Sequence, residues 1–432
     1  MKLLLLTLYF PPEIGAPQTR LRAMTSELKR LGHEVEVVTA MPNYPRGAIY
    51  PGYRGLFYRK EVRDGVVIRR LWAYAALGGG LRRALNYLSF TFLCVLGLLR
   101  AGKPDYVFVE SPPLILSLPG YLFSRLWRAR LILNVADLSP KTEAAMGLLK
   151  SRLLLWLMSA YEAWIYRKAD WINAITPGIQ EYLLQEKKVP ARKVLFLPNG
   201  VDTTLFQPRP ADLALKQALG LDGKNIILYP GTHGHAHALD VVLQSAKLLE
   251  NRPDIHFLFV GDGSDKARLQ GIRNRLGLWN VTFHHPVSVE QLVRYFSIAE
   301  CGLASLRAIP IYEAARPAKI FPIWASGKPL LLVGHGESAQ LVERANAGIV
   351  VPPEKPEALA DAVLRLMDNP DLRRTLGANG RTFVDQNLRW SQLIGDWLAR
   401  LTPPNSANGS HGSVGENSDS VPRQSAGELS CP

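Results

Sequence analysis

The sequence predicts an α/β protein made of two tandem domains with parallel sheets, followed by a disordered C-terminal tail. The chain has 432 residues, of which 47% are hydrophobic and 20% are charged, and this length exceeds what one ordinary core accommodates. Short apolar segments alternate with amphipathic helical patterns, which is typical of a parallel sheet covered by helices. The alternation begins at residue 2 and begins again at residue 225, so one architecture is expected twice.

The first half opens with an expected strand over residues 2–9, a loop rich in proline, and a helix from Gln18 to Leu31. The apolar positions of this helix recur at helical spacing, and Gly32 follows it as a typical C-terminal stop. Further strands are expected over residues 33–40, 66–71, 105–111, 130–137, 171–176 and 193–200.

The second half repeats this order, with helices expected over residues 239–249 and 356–367. Its strands are expected over residues 225–231, 256–263, 281–287, 301–306, 329–334 and 348–352. We therefore expect a first domain over 1–204, a second over 205–385 and a helix over 386–401 that returns to the first domain. Residues 402–432 are rich in Ser, Gly, Asn and Pro and are expected to be disordered.

Two facing domains of this kind predict a ligand cleft. Doubly wound parallel sheets bind ligands at the carboxyl ends of their strands, and two such edges that face each other enclose the space between them. Each domain can then hold one of two substrates.

The cysteines and the chain start exclude several classes of protein. Cys94, Cys301 and Cys431 are far apart and lack the spacing of a disulfide framework or a zinc site, which fits a reducing cytoplasm. The apolar start is cut off by Pro11 and Pro12 and predicts a buried strand instead of a secretion signal.

The positive charge is concentrated in the first half. Residues 1–200 contain 28 Lys and Arg against 14 Asp and Glu, whereas residues 201–432 contain 23 of each kind, and the net charge is +14. Basic residues flank the apolar stretch 85–99, which favours an anionic membrane over nucleic acid as the partner: Arg82, Arg83, Arg100 and Lys103. The alternative is a core helix buried against the sheet.

Ten segments match one family in the order in which they occur, from residue 1 to residue 400. They are YFPPEIGAPQTR, MPNYPRGAIYPGY, VESPPL, NVADLSP, PNGVD, YPGTHGHAHALD, FVGDGSDKARL, RPAKIFPIWASGKPLLL, GESAQLVERANAGIVVPP and LRRTLGANGRTFV. This pattern resembles the family-4 glycosyltransferases of the GT-B fold, in particular the fucosamine and colanic-acid type enzymes of polysaccharide biosynthesis.

The resemblance implies two Rossmann-like domains and a retaining transfer from a nucleotide diphosphate sugar, expected to be UDP-linked. It implies a lipid-linked or polysaccharide acceptor, and no metal or cofactor. The leaving phosphate would itself help to deprotonate the acceptor, so no enzymic nucleophile is required. From the absence of disulfide spacing, the basic first half and the implied lipid-linked acceptor, we expect the protein in the cytoplasm, peripheral at the inner face of the cell membrane.

Glycine-rich loops after strands are the first candidate donor-binding residues. By the resemblance, Gly15 approaches a substrate across the cleft; the alternative is a glycine that only permits a tight turn. Gly231 and Thr232 would present backbone amides to the diphosphate. The glycines of Gly-Asp-Gly would allow close approach to the base or ribose, although such a sequence is also a common strand-ending turn. These last candidates are Gly261, Asp262 and Gly263.

Charged residues supply the remaining candidates. Arg316 and Lys319, at helix spacing, are expected on the leaving diphosphate as catalytic and donor-binding groups, and Glu337 is expected in the donor site. Asp137 is the candidate for orienting the acceptor hydroxyl, or else a helix N-cap. The histidines of the second glycine loop are expected to be solvated or to face phosphate, not metal. They are His233, His235 and His237.

The sequence also departs from the family. Relatives carry two glutamates with seven residues between them. These positions align with Ala314 and Pro322, and Glu313 is one residue out of register. The carboxylate that holds the donor's ribose is therefore expected to be missing. This leaves two alternatives to a transferase: a sugar-nucleotide 2-epimerase of the same fold, and a non-catalytic nucleotide-sugar-binding protein.

Overall fold

The computed structural model describes residues 1–401, except residues 14, 45–46, 77–79 and 146–150. The tail that the sequence predicts over 402–432 lies outside the described residues.

The first domain contains an eight-stranded sheet in the order β3-β4-β2-β1-β5-β6-β7-β8, counted over the described residues. Every neighbouring pair is parallel except β3 and β4, which are antiparallel. The strands are β1 (Lys2–Leu6), β2 (Glu34–Ala40), β3 (Tyr58–Arg63), β4 (Val66–Leu71), β5 (Tyr106–Ser111), β6 (Arg130–Val135), β7 (Trp171–Ala174) and β8 (Val194–Phe196).

The second domain contains a six-stranded, entirely parallel sheet in the order β11-β10-β9-β12-β13-β14, again over the described residues. Its strands are β9 (Asn225–Pro230), β10 (Ile255–Val260), β11 (Val281–His284), β12 (Cys301–Ser305), β13 (Leu330–Val333) and β14 (Gly348–Val351).

Helices cover both faces of each sheet. Those of the first domain are α1 (Ala16–Arg30), α2 (Gly80–Arg100), α3 (Ser117–Trp127), α4 (Lys141–Ala145), α5 (Arg152–Lys168) and α6 (Pro177–Glu181). Those that follow are α7 (Leu213–Ala218), α8 (Leu239–Leu248), α9 (Lys266–Leu276), α10 (Val289–Ile298), α11 (Ile320–Ala325), α12 (Gly336–Ala345), α13 (Pro356–Met367), α14 (Pro370–Asn387) and α15 (Trp390–Leu401).

The last helix packs on the first domain, although it follows the second in sequence. Trp390, Ile394 and Trp397 of α15 are buried in the same core as the residues of β1, β5 and α1. The chain crosses between the domains at Val201, which forms a parallel β-bridge with Arg389. The expected boundary at residue 385 falls in the last turn of α14.

The predicted strands are confirmed to within a few residues at each end, and α1 ends beside Gly32 as expected. β3 was missed. It is a polar edge strand that forms a hairpin with β4 through Asp64 and Gly65, which have φ values of 52° and 72°. Positive φ at both central residues is the signature of an Asp-Gly hairpin turn.

Candidate functional site

Two loops at the carboxyl edge of the second sheet touch each other through their glycines. A Cβ added to Gly261 would lie 1.8 Å from the carbonyl oxygen of Gly231, and one added to Gly263 would lie 2.3 Å from that of His233. The backbone N–H of His233 donates to the carbonyl of Asp262 at 2.9 Å. Close packing therefore requires glycine at both positions of the Gly-Asp-Gly segment. Without side chains there, the loop after β10 can lie directly on the loop after β9.

The loop after β9 presents free backbone donors. Gly231 has φ 114°, a conformation that favours glycine, and its N–H donates to Val260. The N–H groups of Thr232 and Gly234 have no acceptor among the described residues. Free amides that precede a helix, here α8, are suited to an anion.

An aromatic cluster forms the floor beneath this loop. The imidazole of His233 is fully buried, with its ring centre 5.8 Å from that of Tyr229 and 5.7 Å from that of Phe283. Neither ring nitrogen has a hydrogen-bond partner among the described residues. Burial, followed by the charges of Lys266 and Lys319, lowers the pKa of His233 from 6.5 to about 3.

The expectation of solvated or phosphate-facing histidines is therefore wrong for His233, because its ring packs into the core. His237 is partly buried, and its Nδ1 donates to the carbonyl of Ser305 at 3.2 Å. Burial lowers the pKa of His237 to about 3. His235 is exposed. Among the described residues, no group of three or more His, Cys, Asp or Glu side chains is placed to hold a metal ion.

Lys319 has a buried amino group without an anionic partner among the described residues. Its stem is partly exposed, but its Nζ is buried and has no hydrogen-bond partner in the described part of the chain. This nitrogen lies 3.5 Å from the ring centre of Tyr229 and 3.7 Å from where a Cβ on Gly231 would stand. Burial holds the pKa of Lys319 well below its usual range. A phosphate beside the glycine loop would supply the missing partner.

Arg316 and Lys319 contact different groups: Arg316 contacts Glu337, whereas Lys319 contacts the ring of Tyr229. The two residues flank Pro317 in an irregular segment before α11, so they do not share a helix face. Arg316 forms an ion pair with Glu337 in the first turn of α12, and both side chains are nearly buried. Glu337 Oε2 also accepts the backbone N–H of Gly178 in the first domain at 2.8 Å. Arg316 and Glu337 thus connect the two domains.

The departure from the paired-glutamate pattern is visible in the structure. Glu313 is exposed, and its carboxylate lies 3.9 Å from His335. The carbonyl of Ala314 accepts the hydroxyl of Thr176 from the first domain at 3.2 Å. Pro322 occupies the third position of α11. No carboxylate stands at either family position.

Asp137 lies just beyond β6, and its side chain is exposed. Its Oδ1 accepts the N–H of Leu138 at 2.8 Å and the hydroxyl of Thr142 at 2.7 Å, so it stabilises the local turn before α4. Burial, followed by the charge of Asp137, raises the pKa of Tyr312 in the second domain. Asp137 therefore faces the opposite domain.

Gly15 lies at the N-terminus of α1 in the first domain, with extended backbone. A Cβ there would stand 2.5 Å from Oε1 of Gln18 and 3.3 Å from the ring of Tyr44. Because the Gln18 amide is the end of a flexible side chain that can move aside, these contacts do not by themselves require a glycine. The neighbouring Glu13 is buried and accepts the N–H groups of Asn43 and Tyr44 at 2.8 and 2.7 Å.

Sequence reasoning missed Tyr229, whose ring faces Lys319, and Gly178, whose N–H binds Glu337. Tyr229 could have been found, because it is the one aromatic residue at the end of β9. Gly178 contributes only a backbone group, which every non-proline residue has, so no sequence signal marks it.

Known proteins resemble both halves of the chain. The family "Glycosyl transferase 4-like domain" matches residues 15–200, and "Glycosyl transferases group 1" matches residues 213–383. WcaI of Escherichia coli (strain K12), assigned as a colanic acid biosynthesis glycosyl transferase, is 29% identical over 92% of this chain and 99% of its own length.

Two solved structures have the same fold. Anabaena HepE, in complex with UDP-glucose, superposes with a TM-score of 0.70 at 17% identity, over 93% of this chain and 99% of its own. The sucrose-phosphate synthase of Thermosynechococcus elongatus gives a TM-score of 0.69 at 19% identity, over 93% and 98%.

Proposed function

Since the chain belongs to the glycosyltransferases that join a glycosyl transferase 4-like domain to a group 1 domain, we propose that it is a retaining enzyme that uses a uridine diphosphate sugar. The acceptor we propose is a lipid-linked sugar or a polysaccharide of the cell surface. The similarity to WcaI, assigned to colanic acid biosynthesis, supports the acceptor class, and the fold of HepE, solved with UDP-glucose, supports the nucleotide.

The observation that carries the proposal is the unpartnered cation of Lys319 beside the glycine loop after β9. A diphosphate bound there accepts from the free N–H groups of Thr232 and Gly234 and pairs with Lys319. We place the main donor contact on Lys319, because Arg316 is paired with Glu337 and reaches the phosphates only if that ion pair opens.

The chemistry follows from this placement. The bond between the sugar's anomeric carbon and the phosphate oxygen breaks, and the acceptor oxygen bonds to the same carbon on the same face. The acceptor proton passes to the departing phosphate. Lys319 stabilises the negative charge that develops on that phosphate, in a site whose low dielectric strengthens the interaction. Asp137, which faces the second domain, orients the acceptor hydroxyl.

The two alternatives have less support. An epimerase and a non-catalytic binding protein would both keep the donor site, but both family descriptions and WcaI concern glycosyl transfer. The missing carboxylate affects how the ribose of the donor is bound. It does not argue against sugar transfer, because Lys319 is still available to stabilise the departing phosphate.

The proposal is tested by incubating the protein with UDP-sugars and a membrane lipid extract. We expect UDP release that depends on the extract, and a product whose proton NMR spectrum shows the anomeric configuration of the donor sugar. Because the resemblance implies no metal, the rate of transfer should be the same with and without a metal chelator. An inverted anomeric centre would rule out the retaining mechanism, and 2-epimerised donor without transfer would establish the epimerase.

The first domain also presents the surface that we propose for membrane contact. Helix α2 buries Phe90, Cys94 and Leu98 against the sheet, so it is partly a core helix as the alternative held. Its other side is exposed together with α3 and α5, which pack in a row. Large apolar side chains on this three-helix face include Leu81 (75% exposed), Phe92 (74%), Leu126 (70%), Leu153 (68%) and Trp156 (65%).

Exposed basic residues border the three-helix face, among them Arg82, Arg100, Lys103 and Arg152. Apolar side chains surrounded by basic ones suit the interface of an anionic membrane. No helix among the described residues is long and apolar enough to cross a membrane. On the basis of the exposed apolar side chains and their basic border, we propose a peripheral enzyme at the cytoplasmic face of the cell membrane, where a lipid-linked acceptor is within reach.

A further inference from the structure

Three segments of the first domain bring tyrosines and one arginine together beside the cleft. Tyr9 follows β1, Tyr44 follows β2, and Arg83 and Tyr87 lie on α2. The rings of Tyr9 and Tyr44 have centres 5.5 Å apart. Arg83 Nε donates to the hydroxyl of Tyr87 at 2.7 Å, and its guanidinium carbon lies 5.0 Å from the centre of that ring. Because the carboxyl ends of β1 and β2 face the cleft, this tyrosine–arginine cluster does too.

Among the described residues, Arg83 has no carboxylate partner. Its hydrogen bond to Tyr87 uses Nε, and neither Nη group has a hydrogen bond or ion pair within that part of the chain. The nearby Glu13 is already engaged, because its two oxygens accept the N–H groups of Phe10, Asn43 and Tyr44. A partly buried arginine without a counter-ion is placed to bind an anion.

The cluster is accessible and not sealed in the core. Arg83 and the three tyrosines are all partly exposed. Aromatic rings beside a cation suit a ligand that has both an apolar or ring-shaped part and a negative charge. The sequence had grouped Arg83 with Arg82 as a headgroup contact; the structure leaves Arg82 exposed and turns Arg83 toward the tyrosines.

We propose that the tyrosine–arginine cluster binds the phosphate of a phosphate-linked lipid acceptor, with Arg83 as its anchor. The guanidinium donates both Nη groups to the phosphate, and the rings of Tyr9 and Tyr44 contact the sugar or chain attached to it. On the same helix, Leu81, Leu85 and Leu88 are exposed on the three-helix face, so an acyl or prenyl chain passes from the membrane to the cleft along α2. This inference rests on the proposed function and names its acceptor class.

Direct binding tests the site without relying on sugar transfer. The probe is farnesyl phosphate, titrated calorimetrically into the full chain with UDP present to fill the donor site. We compare wild type with Arg83→Ala and with Arg83→Lys, which keeps the charge but loses the forked geometry. Arg192→Ala is the matched control, since Arg192 is an exposed arginine of the same domain without a hydrogen bond or ion pair in the described structure.

We expect Arg83→Ala to weaken farnesyl phosphate binding by about tenfold to a hundredfold, Arg83→Lys to weaken it less, and Arg192→Ala to leave it unchanged. Farnesol should bind weakly to every variant. UDP affinity and melting temperature should stay at the wild-type level, which shows that the variants fold.

Two results would overturn the inference. One is equal affinity of wild type and Arg83→Ala for farnesyl phosphate. The other is displacement of farnesyl phosphate by an equal concentration of inorganic phosphate, which would make the ligand a free anion. A protein that binds farnesyl phosphate as expected but transfers no sugar would contradict the proposed function and leave the acceptor site standing.

Discussion

At the scale of single residues, the second-domain site is defined by two buried basic groups, Lys319 and His233, whose nitrogens have no hydrogen-bond partner among the described residues. Lys319 and His233 both contact the aromatic cluster around Tyr229, and burial lowers the pKa of both. A charged group is stable in such surroundings only beside an opposite charge, so the site favours an anionic ligand that brings its own counter-charge.

His233 makes the protein sensitive to acid. Its pKa is 6.5 when unfolded and about 3 when folded, so between these values the unfolded chain binds more protons and stability falls as the pH falls. Replacing it by phenylalanine, which fits the aromatic cluster, should reduce the loss of unfolding free energy between pH 7 and pH 5 by up to about 2 kcal/mol. Urea unfolding at the two pH values measures this.

The control for this prediction is His235→Phe, because His235 is exposed in the same loop. It should show the wild-type dependence on pH. If His233→Phe lost as much stability on acidification as wild type, the buried neutral imidazole would not be a source of the acid sensitivity.

Residue types at the site could be predicted, but their contacts could not. The sequence predicts the glycines of the two loops and Lys319 as donor-binding groups from their positions after strands, and the structure brings them close together. Helix spacing wrongly placed Arg316 and Lys319 side by side, because Pro317 keeps the segment out of a helix. The burial of His233 depends on Phe283 of a distant strand, which a local pattern cannot reveal.

Among the secondary-structure elements, the pattern of apolar residues was sufficient to predict the strands that are buried on both faces of a sheet. β1, β5 and β10 are almost continuous apolar runs and were all predicted. β3 is polar and exposed at the sheet edge, so it has no apolar pattern. The Asp64-Gly65 pair was the signal that could have revealed its hairpin.

The three-helix face leads to a prediction about membranes. The double change Phe92→Ser with Trp156→Ser removes two of its most exposed apolar side chains. Wild type should cosediment with phosphatidylglycerol vesicles at low salt and dissociate as salt rises, because the basic border is screened. The double variant should bind about tenfold more weakly or worse, since each side chain loses its burial in the interface.

A matched control changes Leu213 and Trp279 to serine, two exposed apolar residues of the second domain. These changes should leave vesicle binding unaltered. Absence of wild-type binding at low salt, or an equal loss in the control, would refute the membrane assignment of α2, α3 and α5.

The whole molecule contains two sheets, the first parallel except for the β3–β4 pair and the second entirely parallel, and the structural matches confirm the predicted GT-B fold. The domains contact through Gly178 and Glu337 and through Thr176 and Ala314. Arg22 and Glu290 add an exposed ion pair of 2.9 Å. Two of these contacts use backbone atoms, so the alternation of strands and helices predicts the domains but not how they meet.

Lys319 and the loop after β9, as we propose, hold the diphosphate of the donor. The measurement is a calorimetric comparison of UDP with uridine, in wild type, Lys319→Ala and the control Lys247→Ala. Lys247 lies on α8, is partly exposed and pairs with Glu250. Wild type and the control should bind UDP far more tightly than uridine.

Lys319→Ala should lose about 1.5 to 3 kcal/mol of UDP binding, the range of a charge-assisted contact, while its weak affinity for uridine stays the same. The loss then belongs to the phosphates alone. Wild-type affinity for UDP in Lys319→Ala, or a wild-type protein that binds uridine as tightly as UDP, would contradict the assignment of the donor site.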